Sequence, residues 1–274
     1  MAVVHKSVVL PGGIRLRYVQ HGDGSGIPVL LLHGVTDSWR SFEGVLPHLP
    51  PSIRAFALSQ RGHGDSDRPA TGYGPRDFAD DLAALMDAVE LERAIVVGHS
   101  MSSSIAQRFA LDYPERTLGL VLVGALCSWR GNPAIVDFWE SVVSRLVDPV
   151  ERGLARDFQE STLARPVPGA FLDTMVRQSL KVPARVWRAV FSAFIEDDFS
   201  TDLGKIEAPT LILWGDRDAF CPRSDQEMLA TTIAGATLSV YAGAGHALHW
   251  EEPERFGADL VAWTRRLVAC PAPA

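Results

Sequence analysis

Residues 94–111, "AIVVGHSMSSSIAQRFAL", decide the reading of the fold. Ala94–Val97 is a short uninterrupted apolar run, the pattern of a strand buried on both faces. From Met101 to Leu111 the apolar residues recur at helical spacing, and Tyr113-Pro114 stops the helix. Only Gly98-His99-Ser100 lies between the two. So sharp a strand-to-helix turn strains the residue at its apex and crowds the positions two before and two after it, where small residues give relief. Serine occupies positions 100, 102, 103 and 104, but only Ser100 has a glycine, Gly98, two residues before it. The other three fall in the first helical turn, where serine is an ordinary residue that can bond the backbone. Ser100 is therefore the candidate nucleophile. Ser102 stands where the pattern G-x-S-x-G has its second glycine. Its side chain is small, so replacement by glycine is expected to be tolerated.

Outward from this turn, strands and helices alternate. Residues 3–10 and 14–20 flank Pro11-Gly12-Gly13 as a hairpin. Val29–Leu32, Ile53–Leu58, Leu118–Val123, Thr210–Trp214 and Leu238–Tyr241 read as strands, and Phe256–Val268 as a closing helix. Phe78–Leu91 has helical apolar spacing, with Asp80, Asp81, Asp87 and Glu90 expected on a solvated face. Strands apolar on both faces, alternating with helices, imply an α/β fold with a mostly parallel sheet covered on both sides. Residues 129–200 break the alternation with helical patterns rich in large apolar side chains, among them Trp129, Phe138, Trp139 and Trp187. They read as a helical cap inserted into a core made of 1–128 and 201–274. The cap would line a pocket at the carboxyl ends of the strands; the plainer alternative is an extra layer of core helices.

The chain has 274 residues, 47% of them hydrophobic and 22% charged, which suits a globular protein with one large core. Its formal net charge of −7 speaks against nucleic acid or an anionic membrane surface as partner. Cys127, Cys221 and Cys270 are too scattered for a disulfide framework or a metal site, which suggests a reducing, cytoplasmic setting. The opening residues do not have the pattern of a signal peptide, no run reaches membrane-spanning length, and the final "CPAPA" is expected to fray. Oligomeric state is not legible.

A bare hydroxyl needs a base, and the base needs a group to orient it. The second half of the chain offers both. "LILWGDRDAFCP", 211–222, is a strand followed by Asp216 and Asp218, and "GAGHALHWEEP", 243–253, carries His246 and His249. The order Ser, Asp, His is one of the chain orders in which this constellation occurs. His246 and His249 lack the further ligands a metal site needs, so neither metal nor cofactor is expected.

The chain resembles the α/β-hydrolase superfamily over nearly its whole length. "LLLHGVTDSW" at 30–39 is similar to its oxyanion loop and "SQRGHGDSDRP" at 59–69 to its Arg-Gly-x-Gly-x-Ser loop. "GHSMS" at 98–102 is similar to its nucleophile elbow, "WGDRD" at 214–218 to its acid turn and "GHALHWEEP" at 245–253 to its histidine loop. The resemblance implies a triad of Ser100, Asp218 and His246, with Asp216 tying the turn together. It implies an oxyanion hole made by the backbone N–H groups of Val35 and Met101. His249 is expected at the pocket rim, and His33, Trp129, Phe138, Trp139, Trp187 and Phe220 in the pocket. His99, His33 and His63 read as packed or loop-fixing histidines.

These residues imply a serine hydrolase of a small, hydrophobic carboxylic ester or lactone. The same triad also supports carbon–carbon bond hydrolysis, perhydrolysis and amide hydrolysis. A serine at 102 resembles a branch that turns over slowly and signals through partners, so a ligand-binding signalling protein is the rival from another class. Members that use an aspartate nucleophile are disfavoured by Ser100 itself.

Overall fold

The computed structural model describes residues 3–269; Cys270 and the proline-rich tail after it lie outside them. The strands are β1 (Val4–Val9), β2 (Arg15–His21), β3 (Ile27–Leu32), β4 (Ile53–Ser59), β5 (Ala94–His99), β6 (Thr117–Val123), β7 (Thr210–Gly215) and β8 (Thr237–Tyr241). They form one eight-stranded sheet in the order β1-β2-β4-β3-β5-β6-β7-β8. β1 and β2 pair antiparallel, as does β2 with β4, and the other pairs are parallel. Two helices follow strands directly in the first half: α1 (Pro75–Ala88) after β4 and α2 (Met101–Asp112) after β5. The segment between β6 and β7 carries α3 (Pro133–Ser141), α4 (Arg152–Ser161), α5 (Gly169–Ser179) and α6 (Ala184–Glu196), and no strand. Then come α7 (Arg223–Thr232), α8 (Leu248–Glu251) and α9 (Pro253–Ala269). Among the described residues no helix is long and apolar enough to cross a membrane.

The two-residue period of the central strands builds two cores, because successive side chains face opposite sides of the sheet. Leu30, Leu32, Val96, Leu120, Leu122 and Ile212 pack on one side with Phe78 and Met86 of α1, Ile105 and Phe109 of α2, and Trp187 and Phe191 of α6. Val29, Leu31, Val97, Val121, Val123 and Leu213 pack on the other with Phe42 and with Phe256 and Leu260 of α9. Burial on both faces holds for the inner strands only. β1 is largely exposed and β8 buries only Tyr241 fully, because each is an edge strand with one neighbour. α7, short and strongly polar, has no pattern that separates it from a loop in the sequence.

One expectation about α1 is corrected. Asp80, Asp87 and Glu90 are exposed, but Asp81 is buried. Its carboxylate takes two hydrogen bonds from the Arg61 guanidinium, from Nε and Nη2, each at 2.6 Å. Arg61 also donates to the Gly72 carbonyl at 2.7 Å, so it fastens the loop after β4 to α1. A helical-face argument misses this, because the partner comes from another segment. Removing Asp81 leaves a buried guanidinium without its counter-ion. Asp81→Ala is expected to lower unfolding stability by about 3 kcal/mol, whereas Asp87→Ala, at an exposed pair with Arg116, stays within about 1 kcal/mol. Urea denaturation of the two variants checks both.

Candidate active site

The turn between β5 and α2 puts Ser100 at φ 54°, ψ −119°, in the left-handed half of backbone space that non-glycine residues avoid. A Cβ on Gly98 would lie 2.0 Å from the Ser102 carbonyl oxygen, so the chain can close this turn only with glycine there. Met101 is the first residue of α2, and its N–H has no acceptor within the helix. The same helix start presents the positive end of its dipole beside Ser100.

On the far side of β6, the loop after β7 delivers Asp218 and the loop after β8 delivers His246. Asp218 Oδ2 accepts from His246 Nδ1 at 2.8 Å, and Oδ1 accepts from the N–H groups of Phe220 and Cys221 at 2.8 and 2.9 Å. The carboxylate is fully buried and its acceptor sites are taken, so the pair is held rigidly. Since Nδ1 carries the proton it gives to Asp218, Nε2 keeps its lone pair. Gly124, at the end of β6, makes room for this pair: a Cβ there would come within 2.9 Å of His246 Nδ1 and 3.2 Å of Asp218 Oδ2. Asp216 is expected to tie its own turn; instead its Oδ1 accepts from Gly243 N–H at 2.6 Å and joins the loop after β7 to the loop after β8. Among the described residues no hydrogen bond joins Ser100 Oγ to His246, though both line one cavity. Such contacts commonly tighten only when substrate is bound.

Asp218, Cys221 and His246 bring three possible metal-ligand atoms within 4.8 Å of one another. Their chemistry does not suit an ion. The carboxylate and the imidazole hold each other, and burial pushes the Cys221 thiol well up, so it stays protonated and donates to the Gly124 carbonyl.

The loop after β3, which carries Val35, is fixed from several sides. His33 Nε2 accepts from the Gln60 N–H at 3.1 Å, so its proton is on Nδ1, which donates to the Gly34 carbonyl at 2.7 Å. Ser102 does more than fit its place: its hydroxyl donates to the His33 carbonyl at 2.5 Å and accepts from Gln60 Nε2 at 2.8 Å. The residue that departs from the glycine pattern thus binds the elbow to the oxyanion loop. Beneath His246, the His99 ring lies 4.8 Å from His246 and 4.5 Å from His249. Burial lowers the pKa of His99 far below its ordinary value and that of His249 to about 3, so both are neutral.

A cavity lies over Ser100. Of the residues expected to line it, Val35, Trp129, Phe138 and Phe220 do so, as do Ser100 and His246. Four expected pocket residues do not. Trp187 is fully buried behind Phe158, with ring centroids 5.3 Å apart. Trp139 is half-buried and packs against the core without lining the cavity, His33 is inside the loop it fixes, and His249 is buried beneath the site with Nε2 on Ser41 Oγ at 3.0 Å. Phe158 and Phe191 of the aromatic-rich insertion also stand in the walls, and sequence reasoning missed Leu126, Ile135 and Trp250 there. It also missed a polar end formed by Asp37, Gln159 and Thr162. Asp37 belongs to the quoted oxyanion-loop motif, but nothing in its spacing signals burial. Burial pushes its carboxyl up to about 7, against the hydrogen bonds it accepts from Gln159 and Ser41.

With this geometry, the chain can be set beside known proteins. A family model described as alpha/beta hydrolase fold matches residues 27–253. A non-heme chloroperoxidase of Streptomyces lividans is 28% identical, over 94% of this chain and 99% of its own. A 2-hydroxymuconate semialdehyde hydrolase of Pseudomonas sp. is 29% identical, over 92% of this chain and 91% of its own. Among solved structures, the esterase RhEst1 of Rhodococcus sp. superposes with a TM-score of 0.84 at 27% identity, covering 97% of this chain and 100% of that one.

Two expectations concern stability. Asp37 keeps its proton up to about pH 7 in the folded protein and loses it near pH 4 when unfolded. Its burial therefore costs nothing at low pH and progressively more as pH rises toward 7. Asp37→Asn removes that cost. Between pH 5 and pH 8 the stability of the variant relative to wild type should rise by an amount on the order of 2 kcal/mol, as read by urea denaturation at both values. Ser102→Gly is expected to lower stability by about 1–2 kcal/mol, through the lost hydroxyl bridge and the glycine in the first turn of α2; chemical denaturation decides it.

Proposed function

Because the chain belongs to the alpha/beta hydrolase fold family, we propose that it is a serine hydrolase cleaving a small, largely apolar carboxylic ester or lactone. The observation that carries this reading is the 2.8 Å bond from His246 Nδ1 to the buried Asp218 carboxylate, facing a cavity that also holds Ser100 at its strained apex. In this reading Ser100 Oγ attacks the substrate carbonyl carbon while His246 Nε2 takes the hydroxyl proton. Asp218 holds the imidazole in the right tautomer and stabilises the imidazolium. The N–H groups of Val35 and Met101 donate to the carbonyl oxygen as it gains charge, which is where preorganised dipoles act most strongly. The tetrahedral adduct expels the alkoxide, which takes the proton from His246. Water, deprotonated by the same nitrogen, then releases the acid from the acyl-enzyme.

Residues 129–200 act in this reading as a cap whose aromatic side chains receive the apolar part of the substrate. The cavity walls favour a neutral ester over the anionic alternatives. Among the described residues that line the cavity there is no lysine or arginine, and Asp37 adds an acid. A substrate bearing carboxylates, such as the dioates in the names of some carbon–carbon hydrolase relatives, would be desolvated there without a counter-charge. The structural likeness to the esterase RhEst1 supports the same reading. Cys127 and Cys221, both buried and free, are in keeping with a reducing, cytoplasmic setting.

Stopped-flow hydrolysis of p-nitrophenyl butyrate tests the reading. Wild type should release p-nitrophenol in a burst or a steady phase. Ser100→Ala and His246→Ala are expected to lose at least about a thousandfold in kcat, and Asp218→Asn somewhat less. Comparable turnover by Ser100→Ala would overturn the assignment.

A further inference from the structure

The cavity is apolar and aromatic except at one end, and that end has an unusual composition. Asp37 lies two residues beyond the Val35 oxyanion position on the same loop and is 3% exposed. Its Oδ1 accepts from Gln159 Nε2 of α4 at 2.9 Å. The same amide nitrogen reaches Ser179 Oγ at 2.7 Å and Thr36 Oγ1 at 3.3 Å, so the Gln159 amide is held in place. Oδ2 is different. Among the described residues its one hydrogen bond is a long one, 3.5 Å, from Ser41 Oγ. Ser41 Oγ is itself approached by Trp250 Nε1 at 2.9 Å and by His249 Nε2 at 3.0 Å. A carboxyl group offers about four acceptor positions, and a buried one left half-satisfied is costly. Among the described residues no cation faces this acid across the cavity. The arrangement fixes one oxygen against Gln159 and leaves the other with a single long bond, on a residue that lines the same cavity as Ser100.

We propose that Asp37 is a specificity-determining residue that accepts a hydrogen bond from a hydroxyl or a protonated amino group on the substrate, so that the substrate is an apolar ester bearing one such donor. This rests on the ester-hydrolase reading of the same site. A donor at Oδ2 would complete the acceptor set that the protein leaves open, and the aromatic walls would hold the rest of the molecule. A site built to bond a polar group discriminates strongly against the analogue lacking it, because its own buried polar atom then goes unpaired. The high pKa that burial imposes on this carboxyl agrees with an acid lacking its partner.

The experiment compares kcat/KM for propyl butyrate, 2-hydroxyethyl butyrate and 2-(dimethylamino)ethyl butyrate, and for p-nitrophenyl butyrate against p-nitrophenyl 3-hydroxybutyrate. The two series place the donor on the alcohol or on the acyl side. Wild type should prefer a donor-bearing member in one series by about tenfold or more. Asp37→Leu should abolish or reverse that ratio. Asp37→Asn separates the two donors, and also serves if the leucine variant does not fold. It keeps a preference for a hydroxyl, whose oxygen can accept from the amide, and loses one for a cation. Equal rates within both series in wild type, or a ratio unchanged in Asp37→Leu, would overturn the proposal and leave Asp37 as a support for α4. A separate measurement keeps this apart from the ester reading. The Ser100→Ala protein is titrated calorimetrically with 1-pentanol, 1,5-pentanediol and 5-(dimethylamino)-1-pentanol, with and without Asp37→Leu. If wild type hydrolyses no ester, the ester reading fails. An Asp37-dependent preference for the diol or the amino alcohol would still uphold donor recognition, and no preference would refute it.

Discussion

Everything at this site depends on the turn at Ser100. A strand buried on both faces must hand over to a buried helix within one residue, and that residue carries a hydroxyl that lines the cavity. The left-handed backbone of Ser100 costs on the order of 1–3 kcal/mol. It persists because both flanking elements are locked, β5 between β3 and β6 and α2 against α1 and the sheet. Gly98 is the steric condition for closing it, since any side chain there would run into the carbonyl of Ser102. The turn exposes one hydroxyl at the carboxyl end of the sheet and gives it the unbonded amide at the start of α2.

The surroundings are organised to keep that hydroxyl's partners neutral or fixed. His99, His249 and His33 are buried, and burial disfavours their charged forms, so the ground around His246 carries no competing cation. The buried Asp218 carboxylate accepts three hydrogen bonds, two from backbone N–H groups and one from His246, which hold it against that imidazole. Asp37 is the exception. It is an acid buried at the polar end of an otherwise apolar cavity, at a cost to stability, and such exceptions to a consistent interior are where function concentrates.

The elements that a local pattern can specify were legible in the sequence. The hairpin, the inner strands and the helix after Ser100 follow from period and from turn residues, and their ends differ from the structure by a few residues at most. Asp218 and His246 follow from the resemblance, and the structure brings those two together. What was not legible depends on partners distant in the chain. Asp81 reads as a surface acid until Arg61 is placed beside it. Trp187 reads as a wall residue until helix packing turns it behind Phe158. Ser102 reads as a tolerated departure until its hydroxyl is seen on the His33 carbonyl. Rotation of a helix about its own axis decides which aromatic residue meets a cavity, and an amphipathic pattern does not set that angle to within one residue.

The helical segment leaves the sheet after β6 and returns at β7, which are hydrogen-bonded neighbours. By topology it is a cassette, since its ends are one strand spacing apart and its removal would leave the sheet's order intact. By contact it is nothing of the kind. Gln159 grips Asp37 and Ser179 grips Thr36, so α4 and α5 hold the loop that carries Val35. Trp129 donates to Ser104 in the first turn of α2. A lineage that exchanged these helices would disturb the loop that carries Val35 in the same step. Change in the helices is therefore constrained to steps that keep the grip on residues 36 and 37.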